Sequence, residues 1–140
     1  MFDCCLYFNL NVLTRTINRI WEEAFQRLGL SPSHAYLLRL VLGEPGITQK
    51  RVAQALGLAP STVTRFVDAL AAKGLLERGP NAADARESAL YPTAAGQALE
   101  AELDATGQAL FQRMRSTLGA ERFDQLVTTL REAQAAVAGQ

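Results

Sequence analysis

The sequence predicts a mainly α-helical fold that contains one small β-hairpin. Apolar residues recur at three- and four-residue steps along most of the chain, which is the period of a helix with one buried side. This period is absent from Leu75 to Arg78 and again from Arg86 to Tyr91, and Gly79 and Pro80 stand between the two segments. Short non-helical segments on either side of such a break are typical of two paired strands.

Glycine and proline delimit the first two helices. The first ends at Gly29 and carries one long apolar side. That side consists of Leu10, Leu13, Ile17, Ile20, Trp21, Ala24 and Leu28. Ser31 followed by Pro32 predicts the N-cap and first turn of the second helix, which ends at Gly43. The buried side of the second helix is predicted to contain Leu37, Leu40 and Val41.

Two short helices follow in close succession. Thr48 is predicted to cap the third helix, and Gly57 to end it. Its inner side is Val52, Ala53 and Leu56. The fourth helix begins at Pro60 and ends near Gly74, with Val63, Phe66, Val67 and Leu70 spaced as one inward face. Its outward face then carries Ser61, Thr62, Thr64, Arg65 and Asp68.

The hairpin leads into two long helices, the first capped by Thr93 and the second starting after Gly119. Their apolar sides comprise Leu99, Leu103, Leu110 and Met114, then Phe123, Leu126, Val127, Leu130 and Val137. These helices and the first one flank a central unit that already has its own core. We therefore expect a single domain, residues 1–140, in which helices at 1–30 and 93–140 pair with those of a second copy around a central lobe at 31–92.

Composition excludes several classes of protein. The chain is 49% hydrophobic and 20% charged, which fits a soluble globular domain. No apolar run approaches the roughly eighteen residues that a membrane span needs, and Met1 to Leu13 lacks the features of a secretory signal. Cys4 and Cys5 are neighbours without the spacing of a metal or redox motif, and His34 is the only histidine. We expect a cytoplasmic protein without metal or cofactor.

Charge is balanced overall and unevenly distributed. The chain has 14 basic and 14 acidic residues, but residues 47–91 carry six basic and four acidic ones. This middle segment contains the pair of short helices, whose tight glycine-containing turn is typical of a helix-turn-helix. A solvated helical hairpin is the plain alternative for these two helices. The following hairpin, with Arg86 beside its tip, favours a wing that reaches the minor groove while the helix lies in the major groove.

The segment from Gly57 to Leu76 resembles the recognition helix and first wing strand of the MarR family of winged helix-turn-helix regulators. Asp84-Ala85-Arg86, with Thr93 and Gly96 beyond it, resembles the family's wing signature and the start of its next helix. The resemblance extends over nearly the whole chain. It implies a winged helix-turn-helix joined to a helical dimerisation lobe. The implied function is that of a homodimeric, DNA-binding transcriptional repressor, released from an imperfectly palindromic double-stranded operator by a small-molecule effector.

The resemblance also implies roles for individual residues. Ser61, Thr62, Thr64 and Arg65 would face bases and phosphates, and Arg86 would enter the minor groove with Asp84 fixing its geometry. A surface ion pair is the alternative for Asp84 and Arg86. Two positions depart from the family pattern. Ala85 replaces a frequent wing arginine, and Pro92 replaces the usual leucine, which leaves the end of the second wing strand open.

Candidate effector residues lie on the first two helices. Members of the MarR family often respond to small aromatic acids or to oxidants, and the N-terminus resembles the start of OhrR-type peroxide sensors. Matching Arg15 places the reactive sensor position on Tyr7, two residues after Cys5, so Cys5 is a candidate redox residue. Tyr7, Trp21 and His34 are the candidates for ligand contacts, with Trp21 and His34 in a pocket; the alternatives are a core role for Trp21 and a surface or capping role for His34.

Two other functional classes are alternatives to a DNA-binding regulator. An enzyme is disfavoured because the sequence has no glycine-rich phosphate loop and no serine–histidine–acid pattern. The second class is a helical interaction protein, such as an antirepressor that keeps the fold without binding DNA. Zero net charge and Ala85 favour it, whereas Arg65 and Arg86 favour DNA binding.

Overall fold

The computed structural model describes residues 1–140 and contains seven α-helices and three β-strands. The helices are α1 (Leu6–Gln26), α2 (Pro32–Gly43), α3 (Gln49–Leu56), α4 (Pro60–Ala72), α5 (Ala94–Ala98), α6 (Glu100–Leu118) and α7 (Ala120–Ala138). The strands are β1 (Ile47–Thr48), β2 (Leu76–Pro80) and β3 (Ser88–Pro92). The chain divides into two compact units, residues 1–104 and 105–140. The mainly α-helical class with a small hairpin is confirmed.

The core of the first unit forms where the short helices pack on the sheet. Buried side chains come from α1, α2, α3, α4 and all three strands; they include Phe25, Leu37, Leu38, Val41, Ile47, Val52, Val63, Val67, Leu70, Leu76 and Leu90. On α2 the inward positions are Leu37, Leu38 and Val41, whereas Leu40, predicted to be buried, is only half-buried. On α1 the buried residue is Phe25, which the predicted apolar side omits. Phe25 packs edge-on against Tyr36 of α2, with 5.9 Å between ring centroids.

The predicted helix caps are confirmed. The side-chain oxygens of Ser31, Thr48 and Thr93 each accept a hydrogen bond from the backbone N–H three residues ahead. Gly57 adopts a left-handed conformation, with φ of 64°, and ends α3 at the position where the chain turns into α4. The helix after Thr93 is not continuous as predicted, because it is interrupted at Leu99 between α5 and α6.

The hairpin belongs to a three-stranded antiparallel sheet of order β1-β3-β2. β1 was not predicted, because a two-residue strand is too short to show an alternating pattern; it pairs through Ile47 with Leu90. The second hairpin strand begins at Ser88 rather than at Arg86. The Asp84 side chain accepts a hydrogen bond from the backbone N–H of Arg86, which keeps that residue in the turn. Pro92 is the last residue of β3, opposite Leu76.

The second unit consists of the end of α6 and the whole of α7, joined at Gly119. Phe111 and Phe123 pack edge-to-face with centroids 5.4 Å apart, and Arg115 forms an ion pair of 3.1 Å with Asp124. No residue of α7 is buried, and its apolar side chains Val127, Leu130 and Val137 are exposed. None of the helices of the chain is both long and apolar enough to cross a membrane.

Candidate nucleic-acid interface

Helices α3 and α4 form a compact helix-turn-helix with polar outward faces. The three-residue turn Gly57–Ala59 joins them, and their inner sides are held by Val52 and Ala53 on α3 and by Val63, Val67 and Leu70 on α4. Phe66, predicted to face inward, is half-buried, and its ring packs edge-to-face with that of His34, with 4.8 Å between the ring centroids. Because the inner side is apolar and buried, α4 must present its polar side to solvent.

The outward face of α4 carries the residues that the sequence assigns to DNA contacts. Ser61, Thr64 and Arg65 are exposed, and Thr62 is half-buried. The Arg65 guanidinium has no partner in the chain, so all its donors are available to an external acceptor. Lys50 of α3 is also exposed and unpaired. The outward face of α4 therefore presents one free cation beside serine and threonine hydroxyls, and α3 contributes a second.

The Thr64 hydroxyl is already hydrogen-bonded within the chain. It donates to the carbonyl oxygen of Pro60 at 3.1 Å and accepts from Nε2 of Gln49 at 3.2 Å. A hydroxyl has one proton to donate, so this one has no donor left for a base or a phosphate. Its methyl group remains able to make an apolar contact.

Tyr91 of β3 holds the two strands of the wing together. The Tyr91 hydroxyl donates to the carbonyl oxygen of Pro80 at 2.8 Å. The Tyr91 ring also lies against Gly79, where an added Cβ would approach it to 2.9 Å. Glycine at position 79 therefore lets the ring cover the strand. This packing joins the two wing strands immediately before the tip.

The tip of the wing projects one arginine into solvent. Asn81 and Asp84 each accept a hydrogen bond from the backbone N–H two residues ahead, which shapes the turn. Asp84 Oδ1 also accepts from Nε of Arg86 at 3.3 Å. The Arg86 side chain is 91% exposed, so this pair orients the guanidinium while leaving it open to an anion.

The candidate effector residues lie apart from one another. Tyr7 is exposed at the start of α1, and Cys5 is half-buried at the preceding N-cap position, where its side chain makes no capping bond. Trp21 is half-buried, and its indole N–H donates to the Tyr36 hydroxyl at 3.1 Å. Tyr7 and Trp21 are fourteen residues apart on one helix, about 21 Å along its axis. One small ligand cannot contact both within one subunit.

His34 is half-buried in the first turn of α2. Burial, and in second place the nearby Lys73 ammonium, lower the pKa of His34 below its usual 6.5. Lys73 is itself held by a hydrogen bond of 2.6 Å from its Nζ to the carbonyl oxygen of Gly29. An open groove of about 550 Å³ lies nearby, lined by residues such as Glu22, Gln26 and Pro32, but neither Trp21 nor His34 lines it.

Several side chains of this surface were not identified from the sequence. Gln49 and Arg78 form hydrogen bonds across the helix-turn-helix, Lys50 adds a free cation, and Tyr91 fixes the wing. The helical period could have identified Lys50, since it places this residue on the side of α3 opposite the buried Val52. The Gln49–Arg78 contact joins residues 29 apart in sequence, and no local pattern indicates it.

The chain is similar to one protein family and to solved structures of regulatory proteins. The family model described as MarR family matches residues 28–87. A search of curated protein sequences gave no significant match. Similarity over the whole chain is instead found among solved structures.

Three solved structures illustrate the similarity. MepR of S. aureus, in a DNA complex, superposes with a TM-score of 0.83 at 19% identity, over 93% of this chain and 96% of MepR. A mutant of MarR from E. coli, complexed with operator DNA, gives 0.82 at 23% identity, over 95% and 97% of the two chains. CouR from Rhodococcus jostii, bound to p-coumaroyl-CoA, gives 0.80 at 24% identity, over 99% and 94%.

Proposed function

We propose that this chain is a member of the MarR family of winged helix-turn-helix proteins and acts as a sequence-specific DNA-binding transcriptional regulator; the family model matched at residues 28–87 and the similarity to solved structures support this. The observation that carries the proposal is that two arginines are accessible to an external anion, one on the outward face of α4 and one at the wing tip. Arg65 projects from α4 without a partner, and Arg86 projects from the wing tip. Arginines on an outward helix and on a wing tip are the groups expected of a helix in the major groove and a wing in the adjacent minor groove.

The side chains of this interface have separable roles in the proposal. Ser61, Thr62 and Arg65 contact bases and phosphates through their free polar groups. Thr64 contributes its methyl group, because its hydroxyl is engaged within the chain. Arg86, oriented by Asp84, senses the width and negative potential of the minor groove.

We propose that the regulator is a homodimer formed by its terminal helices, residues 1–30 and 93–140, around the DNA-binding lobe at 31–92. Exposed apolar side chains support this: α1 presents Leu6, Tyr7, Phe8, Leu10 and Leu13, and α7 presents Val127, Leu130 and Val137. Monomeric proteins seldom leave such sets uncovered. A two-fold axis would relate the two recognition helices, so the operator is an imperfect palindrome.

We propose further that the dimer acts in the cytoplasm as a repressor, without catalytic activity, and that a small molecule releases it from DNA. The p-coumaroyl-CoA complex of the structurally similar CouR supports an effector that carries an aromatic group. Trp21 and His34 are the first residues to test as ligand contacts; Tyr7, at the far end of α1, belongs to a separate contact. Cys5 is the candidate for an oxidant response.

Selection from a pool of random duplex DNA tests the central proposal. The selected sites should be imperfect palindromes, with half-site centres one helical turn apart, about 34 to 36 Å. Arg65→Ala should cost about 1 to 3 kcal/mol per half-site and relax the preference at one base position. Arg86→Ala should weaken binding to all sites with little change in their ranking.

Titration across salt concentrations provides the second readout and the control. Arg86→Ala should reduce the log–log salt slope by about one for each arginine removed. Arg131→Ala, on α7 away from the helix-turn-helix in sequence, is the control for loss of one positive charge and should leave the slope unchanged. Unchanged affinity and slope for both Arg65→Ala and Arg86→Ala would show that this surface does not touch DNA, and an antirepressor role would replace the proposal.

A further inference from the structure

Four polar side chains connect the recognition helix to the wing. Arg78 of β2 donates from Nη2 to Asp68 Oδ1 of α4 at 2.7 Å and from Nε to Gln49 Oε1 of α3 at 3.1 Å. The Gln49 amide in turn donates to Thr64 of α4. We refer to Gln49, Thr64, Asp68 and Arg78 as the polar bridge. It joins α3, α4 and β2 on the side where the proposed interface lies.

The donor and acceptor groups of the polar bridge fix the direction of its hydrogen bonds. Arginine is only a donor, so the Gln49 carbonyl must face Arg78 and its NH₂ group must face Thr64. The Thr64 hydroxyl then accepts from Gln49 and donates to the carbonyl oxygen of Pro60. Each donor in the series of hydrogen bonds from Arg78 through Gln49 and Thr64 to Pro60 therefore has an acceptor.

The polar bridge also decides which cations near α4 are available. Arg65 and Lys50 have no partner, whereas the charge of Arg78 is balanced by Asp68 at hydrogen-bond distance. The Arg78 side chain is 36% exposed and that of Asp68 is 61% exposed. The ion pair thus lies at the surface, where an unpaired arginine would be free to reach a phosphate.

We infer that Asp68 is a specificity-determining residue, which holds Arg78 away from the DNA phosphates while the polar bridge sets the position of the wing on the recognition helix. The inference rests on the proposed DNA-binding function. Phosphate contacts strengthen binding to every sequence alike, whereas base contacts strengthen binding to the operator. A regulator in which one arginine is kept from the phosphates binds all DNA more weakly. Its affinity for the operator nevertheless remains high relative to its affinity for other sequences.

The test compares Asp68→Asn, Arg78→Gln and the double variant with the wild type. Affinity is measured by fluorescence anisotropy for the selected duplex and for a scrambled duplex of equal length and composition, at several salt concentrations. Asp68→Asn should bind the scrambled duplex more tightly, raise the log–log salt slope by about one per released arginine, and lower the ratio of operator to scrambled affinity. Arg78→Gln and the double variant should keep the wild-type slope.

Glu77→Gln is the matched control for the loss of an acidic group. Glu77 precedes Arg78 on β2, is exposed and has no partner in the chain, so its removal changes the net charge equally but frees no arginine. Equal effects of Glu77→Gln and Asp68→Asn would overturn the inference. So would a salt slope lowered by about one in Arg78→Gln, because Arg78 would then already contact phosphate in the complex. A wild type that fails to distinguish the two duplexes would overturn the proposed function itself.

Discussion

At the residue scale, hydrogen-bond partners separate side chains of the same type into different roles. Arg65 and Arg78 lie near the same helix, yet Arg65 is free and Arg78 is held by Asp68 and Gln49. Ser61 and Thr64 are both exposed hydroxyl residues on α4, yet the Thr64 proton is committed to Pro60. The chemistry of a side chain alone therefore does not define its part in binding. The hydrogen bonds that the side chain already makes within the protein also decide whether it can bind DNA.

His34 gives the chain a defined pH dependence of stability. Its pKa is lowered in the folded state, so the unfolded chain takes up the proton more readily as the pH falls. Folding stability contributed by neutral His34 is therefore present above about pH 6.5 and is lost as the pH falls from there toward the lowered pKa. Urea unfolding at pH 7.5 and 5.5 should show a decrease in midpoint that is smaller in His34→Gln.

His34 is the only histidine in the chain, which makes this comparison direct. Both proteins share all other titrating groups, so the difference between the two midpoint shifts isolates the imidazole. Equal shifts in the wild type and in His34→Gln would show that burial and the nearby Lys73 ammonium do not disfavour the charged ring.

At the element scale, the position of α5 depends on close packing against the end of the wing. Gly96 of α5 lies so near the backbone that an added Cβ would overlap the carbonyl oxygen of Leu75. That oxygen already accepts the backbone N–H of Thr93, the residue that caps α5. A side chain at position 96 would have to displace this backbone connection.

Gly96→Ala should accordingly lower the free energy of unfolding by at least about 2 kcal/mol, because the chain must move to relieve the overlap. Gly43→Ala is the matched control. Gly43 is also helical and nothing lies within 4 Å of its added Cβ, so the change should stay within about 0.5 to 1 kcal/mol and can be stabilising. Urea denaturation of both variants measures the difference. Similar values would show that α5 is free to shift away from Leu75.

At the scale of the whole molecule, we expect the exposed apolar side of α7 to be covered by a second copy of the chain. Leu130 is 40% exposed, and Phe123, Leu126 and Val127 fall on the same side of the helix by their spacing. A carboxylate introduced there would have to be desolvated in a dimer. Leu130→Glu should therefore shift the mass from twice 15.2 kDa to that of one chain, as measured by light scattering.

Thr128→Glu adds the same charge on the opposite side of α7 and should remain dimeric. An intact chain that is monomeric at micromolar concentration would contradict the proposed homodimer. Point variants are preferable to removal of residues 1–28, because such a truncation would also delete Phe25, which is fully buried in the core of the first unit.

The sequence by itself determined most of the elements and the face of α4 that meets solvent. Helix caps such as Ser31 and Thr48, the end of α3 at Gly57 and the hairpin all depend on residues within a few positions of one another. The spacing of Val63, Val67 and Leu70 fixes which side of α4 is buried. Local backbone chemistry and a repeat of 3.6 residues are sufficient for these features, so they can be read from the chain alone.

Only the tertiary structure decided which groups on that face are free. β1 exists because Ile47 meets Leu90, and Arg78 is paired because β2 brings it to Asp68 and Gln49. The interruption at Leu99 likewise has no signal in the helical period. These features depend on contacts between residues distant in sequence or on packing, whose free energy arises only once the whole first unit has folded, and a local pattern carries no information about them.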